Sequence, residues 1–466
     1  MSRIALSYEI PFVEEVTMPA RWARWLAGRG SSPNQKIQNA PEIDGAITWC
    51  YRQHGLLPWM QFFYDWRFAD LTGDGRLDFI LTGGATHQIA YSQDGTELWR
   101  YEDPTASFMD IRLDTNFPIA DIDGDDLPEL ICARKLAGHL HLCVINARTG
   151  ELKQSIPYPN LQDIPNDKRG SITVVNVSGR KQPGDILVGW DYASITLLDH
   201  HLNSIWEKNL ASHAGRRHRT MGHTPFSADI DRDGHDEILA GSCLLDHSGE
   251  LLWVTPDLPA LVADGHADSV QMAWLDEGEP PKVIMSTGAY CFSIEGELLW
   301  GRDDLKHGQA LRVAKIRDDV PGQQVVVYEG ASRVVPELPD KVVVLDKEGH
   351  LLWDVELVQP DMQEGGFGFW LGDWDGDGLA EIFVNDREKV NIFDGHGRLI
   401  DTIPGHLIYV FDLVGDSRAE AVMLTGIEPG MRLQIVTNDK PNPNPETNRK
   451  ISRRITTKAM YNATRY

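Results

Sequence analysis

The sequence predicts an all-β fold, a β-propeller of most plausibly eight blades, on three observations: a turn-and-strand element that recurs along the chain, an acidic loop that alternates with it, and a scarcity of long helical periodicities. The recurring element is a Gly or polar turn followed by a short strand that ends in Trp or an aliphatic residue. It is written DGAITW (44–49), DGTELW (94–99), TGELK (149–153), HLNSIW (201–206), SGELLW (248–253), EGELLW (295–300), EGHLLW (348–353) and GHGRLI (395–400). A period of about 50 residues is the size of one four-stranded blade.

Between these elements run the acidic loops DLTGDGRLDFIL, DIDGDDLPELIC, DIDRDGHDEILA and DWDGDGLAEIFV. Degenerate versions, VNVSGRKQPGDILV, AWLDEGEPPKVIM, AKIRDDVPGQQVVV and FDLVGDSRAEAVM, fill the remaining places. Eight of each in alternation favour eight blades over the competing count of seven with a decorated terminus. Strands such as DILVGW, QVVVYE and KVVVLD, rich in β-branched residues and bounded by Gly, Pro and Asp, fit the assignment. Strands from the two ends of the chain are expected to close the ring, because closure hides open sheet edges. The predicted organisation is an extension over 1–43 with a short amphipathic helix at 19–28, a propeller over 44–440, and a tail over 441–466 packed on a propeller face.

Composition narrows the function classes. Lys and Arg number 44 against 69 Asp and Glu, a formal net charge of -25, which is a poor basis for tracking phosphates and argues against nucleic acid. The acids sit in short clusters, so bound cations account for them better than a disordered acidic tail does. Five cysteines, odd in number and without a CxxC pair, indicate neither a disulfide framework nor a zinc site. No run of about 18 apolar residues suggests a membrane span, and no export signal is visible. The chain as written is expected to be a cytoplasmic monomer, or secreted if a signal has been removed.

Four loops carry the spacing of a calcium site. In DWDGDGLAE, Asp373, Asp375, Asp377 and Glu381 take positions one, three, five and nine, and alternate positions of a tight loop can converge on one ion that prefers six to eight hard oxygens. Asp229, Asp231, Asp233 and Glu237 repeat the pattern, as do Asp121, Asp123, Asp125 and Glu129; Asp70, Thr72, Asp74 and Asp78 form a variant. Flanking strands and the short spacing exclude an EF-hand. Ca2+ is the expected cofactor, and these ions are expected to fix blade geometry rather than to act on a substrate.

Several stretches are similar to polysaccharide lyase family eleven, the rhamnogalacturonan lyases: 221–250 (MGHTPFSADIDRDGHDEILAGSCLLDHSGE), 264–281 (DGHADSVQMAWLDEGEPP), 307–325 (HGQALRVAKIRDDVPGQQV), 411–422 (FDLVGDSRAEAV) and 459–466 (AMYNATRY). The resemblance implies a calcium-rich eight-bladed propeller that cleaves rhamnogalacturonan or a related uronate-containing oligosaccharide or polysaccharide by β-elimination. It places Asn116 and Tyr461 at substrate-contacting positions and matches His223, His266 and Asp268 to a metal-binding group near the site. Three family positions differ: an acidic residue falls at Leu136, an Asn-Gly-Thr loop near Asp401 to Ile403, and a further carboxylate near Ala289. The family's N-terminal sandwich extension is not recognised.

β-Elimination must neutralise the C5 carboxylate of a uronate, remove the C5 proton and help O4 to leave. His223, His266, Lys306 and His307 lie just before blade loops and are candidates for proton transfer, with Tyr461 for the leaving oxygen. Arg134 and Arg312 are candidates for a planar fork on the carboxylate. Each has a plainer alternative as a packing residue or a partner of nearby acids. The competing functions are a glycoside hydrolase, for which no carboxylate pair is identified, and a non-catalytic carbohydrate- or protein-binding propeller.

Overall fold

In a propeller the middle strands of each blade are covered on both faces by neighbouring blades, so they must be apolar throughout, while the outermost strand faces water on one side. The chain obeys this. In the computed structural model, which describes residues 2–9 and, with interruptions in connecting loops, 65–443, Gln324–Glu329 is buried along its whole length and Lys341–Leu345 over all but its first residue. The outer strand Leu351–Glu356 of the same blade alternates between exposed and half-buried positions.

Eight antiparallel sheets form eight blades. In chain order they span 65–102, 119–157, 169–209, 226–254, 270–300, 308–356, 369–404 and, for the eighth, 406–438 joined by Ser2–Glu9. Each blade runs from an innermost to an outermost strand. A two-residue strand, Arg112–Leu113, adds in parallel to the innermost strand of the third blade. Innermost strands of consecutive blades touch through the fourth to the eighth.

Ring closure departs from the expected boundaries. Ser2–Glu9 pairs antiparallel with Arg432–Asn438 and supplies the outermost strand of the eighth blade, so residues assigned to an extension belong to the ring. Its apolar residues Ile4, Leu6 and Tyr8 alternate as a strand requires, but it lacks the turn-and-Trp signature of the other outer strands. The DGAITW unit, the helix expected at 19–28 and most of the tail lie outside the described residues. The join between eighth and first blades is a shared core in which Tyr409 meets Phe68 edge-on at 6.0 Å. Arg67 ties it further, donating to the Tyr409 hydroxyl at 2.8 Å and to the Phe117 carbonyl of the second blade at 2.7 Å. A short helix, Pro259–Asp264, bridges the fourth and fifth blades.

The recurring turn and Trp explain each other. Trp99, Trp206, Trp253, Trp300 and Trp353 donate their indole N–H to carbonyls in the following blade, at Ala147, His247, Ile294, Lys347 and Gly395, over 2.8 to 3.2 Å. Each ring lies against the turn glycine of that next blade, where a Cβ would come within 3.0 Å of the indole: Gly150, Gly249, Gly296, Gly349 and Gly397. Those glycines also have positive φ, so both the turn and the stacking demand Gly. The repeat is therefore a blade-to-blade staple.

Candidate functional site

The acidic loops join the innermost to the second strand and so share one end of the ring. All use one backbone scheme. The residue after the first ligand donates its N–H to the position-nine carboxylate: Leu71 to Asp78 at 2.9 Å, Ile122 to Glu129 at 3.0 Å, Ile230 to Glu237 at 2.9 Å and Trp374 to Glu381 at 2.6 Å. In the loop at Asp373, both oxygens of that residue accept N–H groups, from Gly376 and Gly378. Asp375 and Asp377 accept from Asp377 and Leu379 through one oxygen each.

Carboxylate oxygens of Asp373, Asp375 and Glu381 fall within 4.8 Å of one another, as do those of Asp229, Asp231 and Glu237. Burial pushes Glu381 up to about 8 and Glu237 up to about 7, with the neighbouring aspartates adding to the rise. Asp229 Oδ1 and Thr72 Oγ1 are buried without a hydrogen-bond partner among the described residues. Concentrated hard oxygens that lack donors fit a divalent cation such as Ca2+. The loop at Asp121 has the same backbone but a different interior. There Lys153 Nζ bonds Asp123 Oδ2 at 2.6 Å, Glu129 Oε1 at 2.8 Å and Asp125 Oδ2 at 3.4 Å.

The opposite end of the ring, where innermost strands begin, is built differently. Asp268 precedes the innermost strand of the fifth blade and His307 that of the sixth, and their side chains meet with His307 Nε2 3.5 Å from Asp268 Oδ2. Asp268 is fully buried at its side chain and His307 nearly so. Gln309 clamps the pair: its amide nitrogen lies 3.2 Å from Asp268 Oδ2 and 2.9 Å and 3.0 Å from the two imidazole nitrogens. The Gly330 carbonyl is 3.1 Å from His307 Nδ1, where an N–H of the ring can donate to it, and Nε2 is turned towards Asp268 and the Gln309 amide. An imidazole held beside a buried carboxylate is a group able to exchange a proton.

Neighbouring residues brace this pair. Glu329, with no exposed side-chain surface, accepts the Lys306 backbone N–H at 2.7 Å and pairs with Lys341 at 3.0 Å. Lys306 is thus anchored by its main chain and is itself exposed. Tyr328 hydrogen-bonds Asp340, and burial together with that acid holds its phenol far above the ordinary range. Gln309 and Glu329 were not singled out from sequence. The available signal was a polar residue inside each of the apolar strands GQALRVA and QVVVYE.

Arg134 and Arg312 take the packing alternative. Arg134 sits on the second strand of its blade, donates from Nε to Gln88 at 2.7 Å and lies 4.1 Å from the Tyr101 ring centroid. Arg312 donates from Nε to the Phe369 carbonyl at 3.0 Å and stacks 4.1 Å from the Trp370 centroid. Both guanidinium groups bridge blades, as Arg67 does. His223, His266, Asn116 and Tyr461 lie outside the described residues, so Asp268 is the described member of the group the resemblance assigned to a metal.

No family model matches the chain. It is 25% identical over 438 residues to the rhamnogalacturonan endolyase YesW of Bacillus subtilis (strain 168), covering 79% of this chain and 66% of that relative. It is 24% identical to the rhamnogalacturonan exolyase YesX of the same organism, covering 79% and 70%. The chain therefore spans about two thirds of the length of the curated relatives it matches. The crystal structure of YesX superposes with a TM-score of 0.62 at 20% identity over 79% of this chain and 71% of that one. A rhamnogalacturonan lyase of Bacillus licheniformis superposes with 0.58 at 20% identity over 80% and 71%. These structures share the fold.

Proposed function

We propose that the chain is a rhamnogalacturonan-type polysaccharide lyase, a carbon-oxygen lyase acting by β-elimination on a uronate-containing oligosaccharide or polysaccharide. The observation that carries this reading is the position of the buried Asp268 and His307 pair. It falls within the stretches 264–281 and 307–325 that resemble the family, at the ring end where innermost strands start. The similarity to an endolyase and an exolyase over most of the chain supports it.

In the proposed reaction the C5–H bond of the uronate breaks and its proton passes to a base on the chain. The electron pair forms the C4–C5 double bond, the C4–O4 bond breaks, and O4 leaves with a proton. His307 is suited to the first role as an imidazole oriented by the Gly330 carbonyl at Nδ1 and set with Nε2 beside Asp268 and Gln309. Asp268 stabilises the imidazolium that results, and Gln309 fixes the ring against it. Lys306, exposed beside His307, offers a cation for the uronate carboxylate. A divalent ion held with Asp268, His223 and His266 would supply further stabilisation of the charge that develops on that carboxylate. Calcium in the loops at Asp70, Asp229 and Asp373 is part of this reading, in a structural role, and the working form is a monomer.

The test is ultraviolet absorbance during incubation with rhamnogalacturonan oligosaccharides. A lyase produces a conjugated uronate and a rising signal. New reducing ends without absorbance would indicate a hydrolase, and no product from any uronate oligosaccharide would indicate a binding module.

A further inference from the structure

We propose that the acidic loop of the second blade is closed by the ammonium of Lys153 and takes no calcium, although its sequence carries the full set of ligands. The inference rests on the calcium reading of the loops at Asp229 and Asp373 and corrects it for the loop at Asp121.

In the loop at Asp121 the backbone takes the same oxygens as in the loop at Asp373. Gly124 and Asp126 donate to the two oxygens of Asp121, Asp125 to Asp123 Oδ1, Leu127 to Asp125 Oδ1, and Ile122 to Glu129 Oε2. Carboxylate oxygens of Asp121, Asp123 and Glu129 lie within 4.8 Å of one another, as in the other two loops. The oxygens that take none of these backbone bonds are Asp123 Oδ2, Asp125 Oδ2 and Glu129 Oε1, and these are the three atoms that Lys153 Nζ reaches at 2.6, 3.4 and 2.8 Å. Among the described residues no lysine bonds their counterparts in the loop at Asp373, the carboxylates of Asp375, Asp377 and Glu381. A divalent ion on the same three oxygens would lie within a few ångströms of the ammonium. Like charges at that separation repel, and a doubly charged ion is repelled more strongly than a single charge.

The position of the lysine is distinctive. It is the third residue after the turn glycine, and the equivalent residues of other outer strands are Leu98, Leu252, Leu299, Leu352 and Ile400. In the third blade Leu202 takes the positive-φ place of the glycine, and the residue three further on is Ile205. A cation has therefore replaced an aliphatic residue only in the blade whose loop it enters. The sixth blade shows a related arrangement. There the closing side chain is the neutral Gln324, which accepts the Ile316 N–H at 2.9 Å, and Lys315 Nζ donates to the loop carbonyls of Val320 and Gly322. Among the described residues an ammonium thus enters inner-strand loops of other blades too, on carbonyls in the sixth and on Asp276 from Lys347 in the fifth, but in the second blade it meets a complete calcium-type carboxylate set.

The experiment is calcium per chain by elemental analysis on the full-length protein, saturated with calcium and freed of unbound ion. Asp375→Asn is expected to lose one ion relative to wild type, Asp123→Asn none, and Lys153→Leu, which restores the aliphatic residue, to gain one. Loss of an ion from Asp123→Asn, or no gain in a folded Lys153→Leu, would overturn the proposal. Should Lys153→Leu fail to fold, the Asp123→Asn count decides alone. An Asp375→Asn protein that loses nothing would withdraw the calcium reading itself, and the inference with it.

Discussion

The two ends of the ring are made from the same eight sheets but follow opposite rules. At the end that carries the acidic loops, position-nine side chains, loop backbone bonds and the neighbouring turn glycines recur from blade to blade. At the other end, Asp268, His307 and Gln309 occur once, at the junction of the fifth and sixth blades. A repeat is selected for what every blade needs, which is a fixed geometry against its neighbour. Chemistry needs unlike groups in one place, so it sits where the repeat is broken. The loop end should accordingly govern stability, and the opposite end turnover.

The largest expected effect is on turnover. His307→Gln should depress formation of the unsaturated product by about a hundredfold or more per folded molecule, because it keeps a polar side chain against the buried Asp268 and removes the proposed proton acceptor. A folded variant with wild-type turnover would break the contrast between the two ends. Asp375→Ala tests it from the other side. An ion bound only by the folded chain stabilises it by mass action, so this variant and the chelated wild type should melt lower, and lose activity only as folded protein is lost.

The chelated protein should also acquire a pH dependence. Glu381 and Glu237 are pushed up to about 8 and about 7, chiefly by burial. A carboxyl whose folded pKa lies above its unfolded one contributes stability that is present below the unfolded value and is lost as pH rises through the folded value. Without calcium, melting should therefore fall between about pH 5 and pH 8, and added calcium should remove most of that slope. The smallest effects belong to the staples. Trp353→Phe loses the bond to the Gly395 carbonyl and should cost about 1 kcal/mol in denaturant titration. Gly397→Ala must place a methyl group against Trp353 at a φ of 76° and should cost more than about 1 kcal/mol.

The blades were legible because most are announced twice, by a turn that in five of them leads into a Trp and by an acidic loop or its degenerate version. Ser2–Glu9 was not, because it closes the eighth blade by backbone pairing without either mark. At the site, Asp268 and His307 were readable and their contact was not, since they stand 39 positions apart on different blades. Arg134 and Arg312 look in sequence like carboxylate forks, yet in the structure their Nε groups bond across blade boundaries, to Gln88 and the Phe369 carbonyl, and their planes lie on the rings of Tyr101 and Trp370. Lys153 is the reverse case. Its place in an otherwise aliphatic column is visible in the sequence once the repeats are aligned, but only the structure carries its ammonium into the loop.

The most direct test of the lyase account is the product formed from a rhamnogalacturonan oligosaccharide in water enriched with heavy oxygen. Elimination breaks C4–O4 without adding water, so the account predicts an ultraviolet-absorbing fragment one water lighter than the hydrolysis fragment, with no heavy oxygen beyond the exchange that any free reducing end undergoes. Heavy oxygen in the product, with no absorbance, would contradict it.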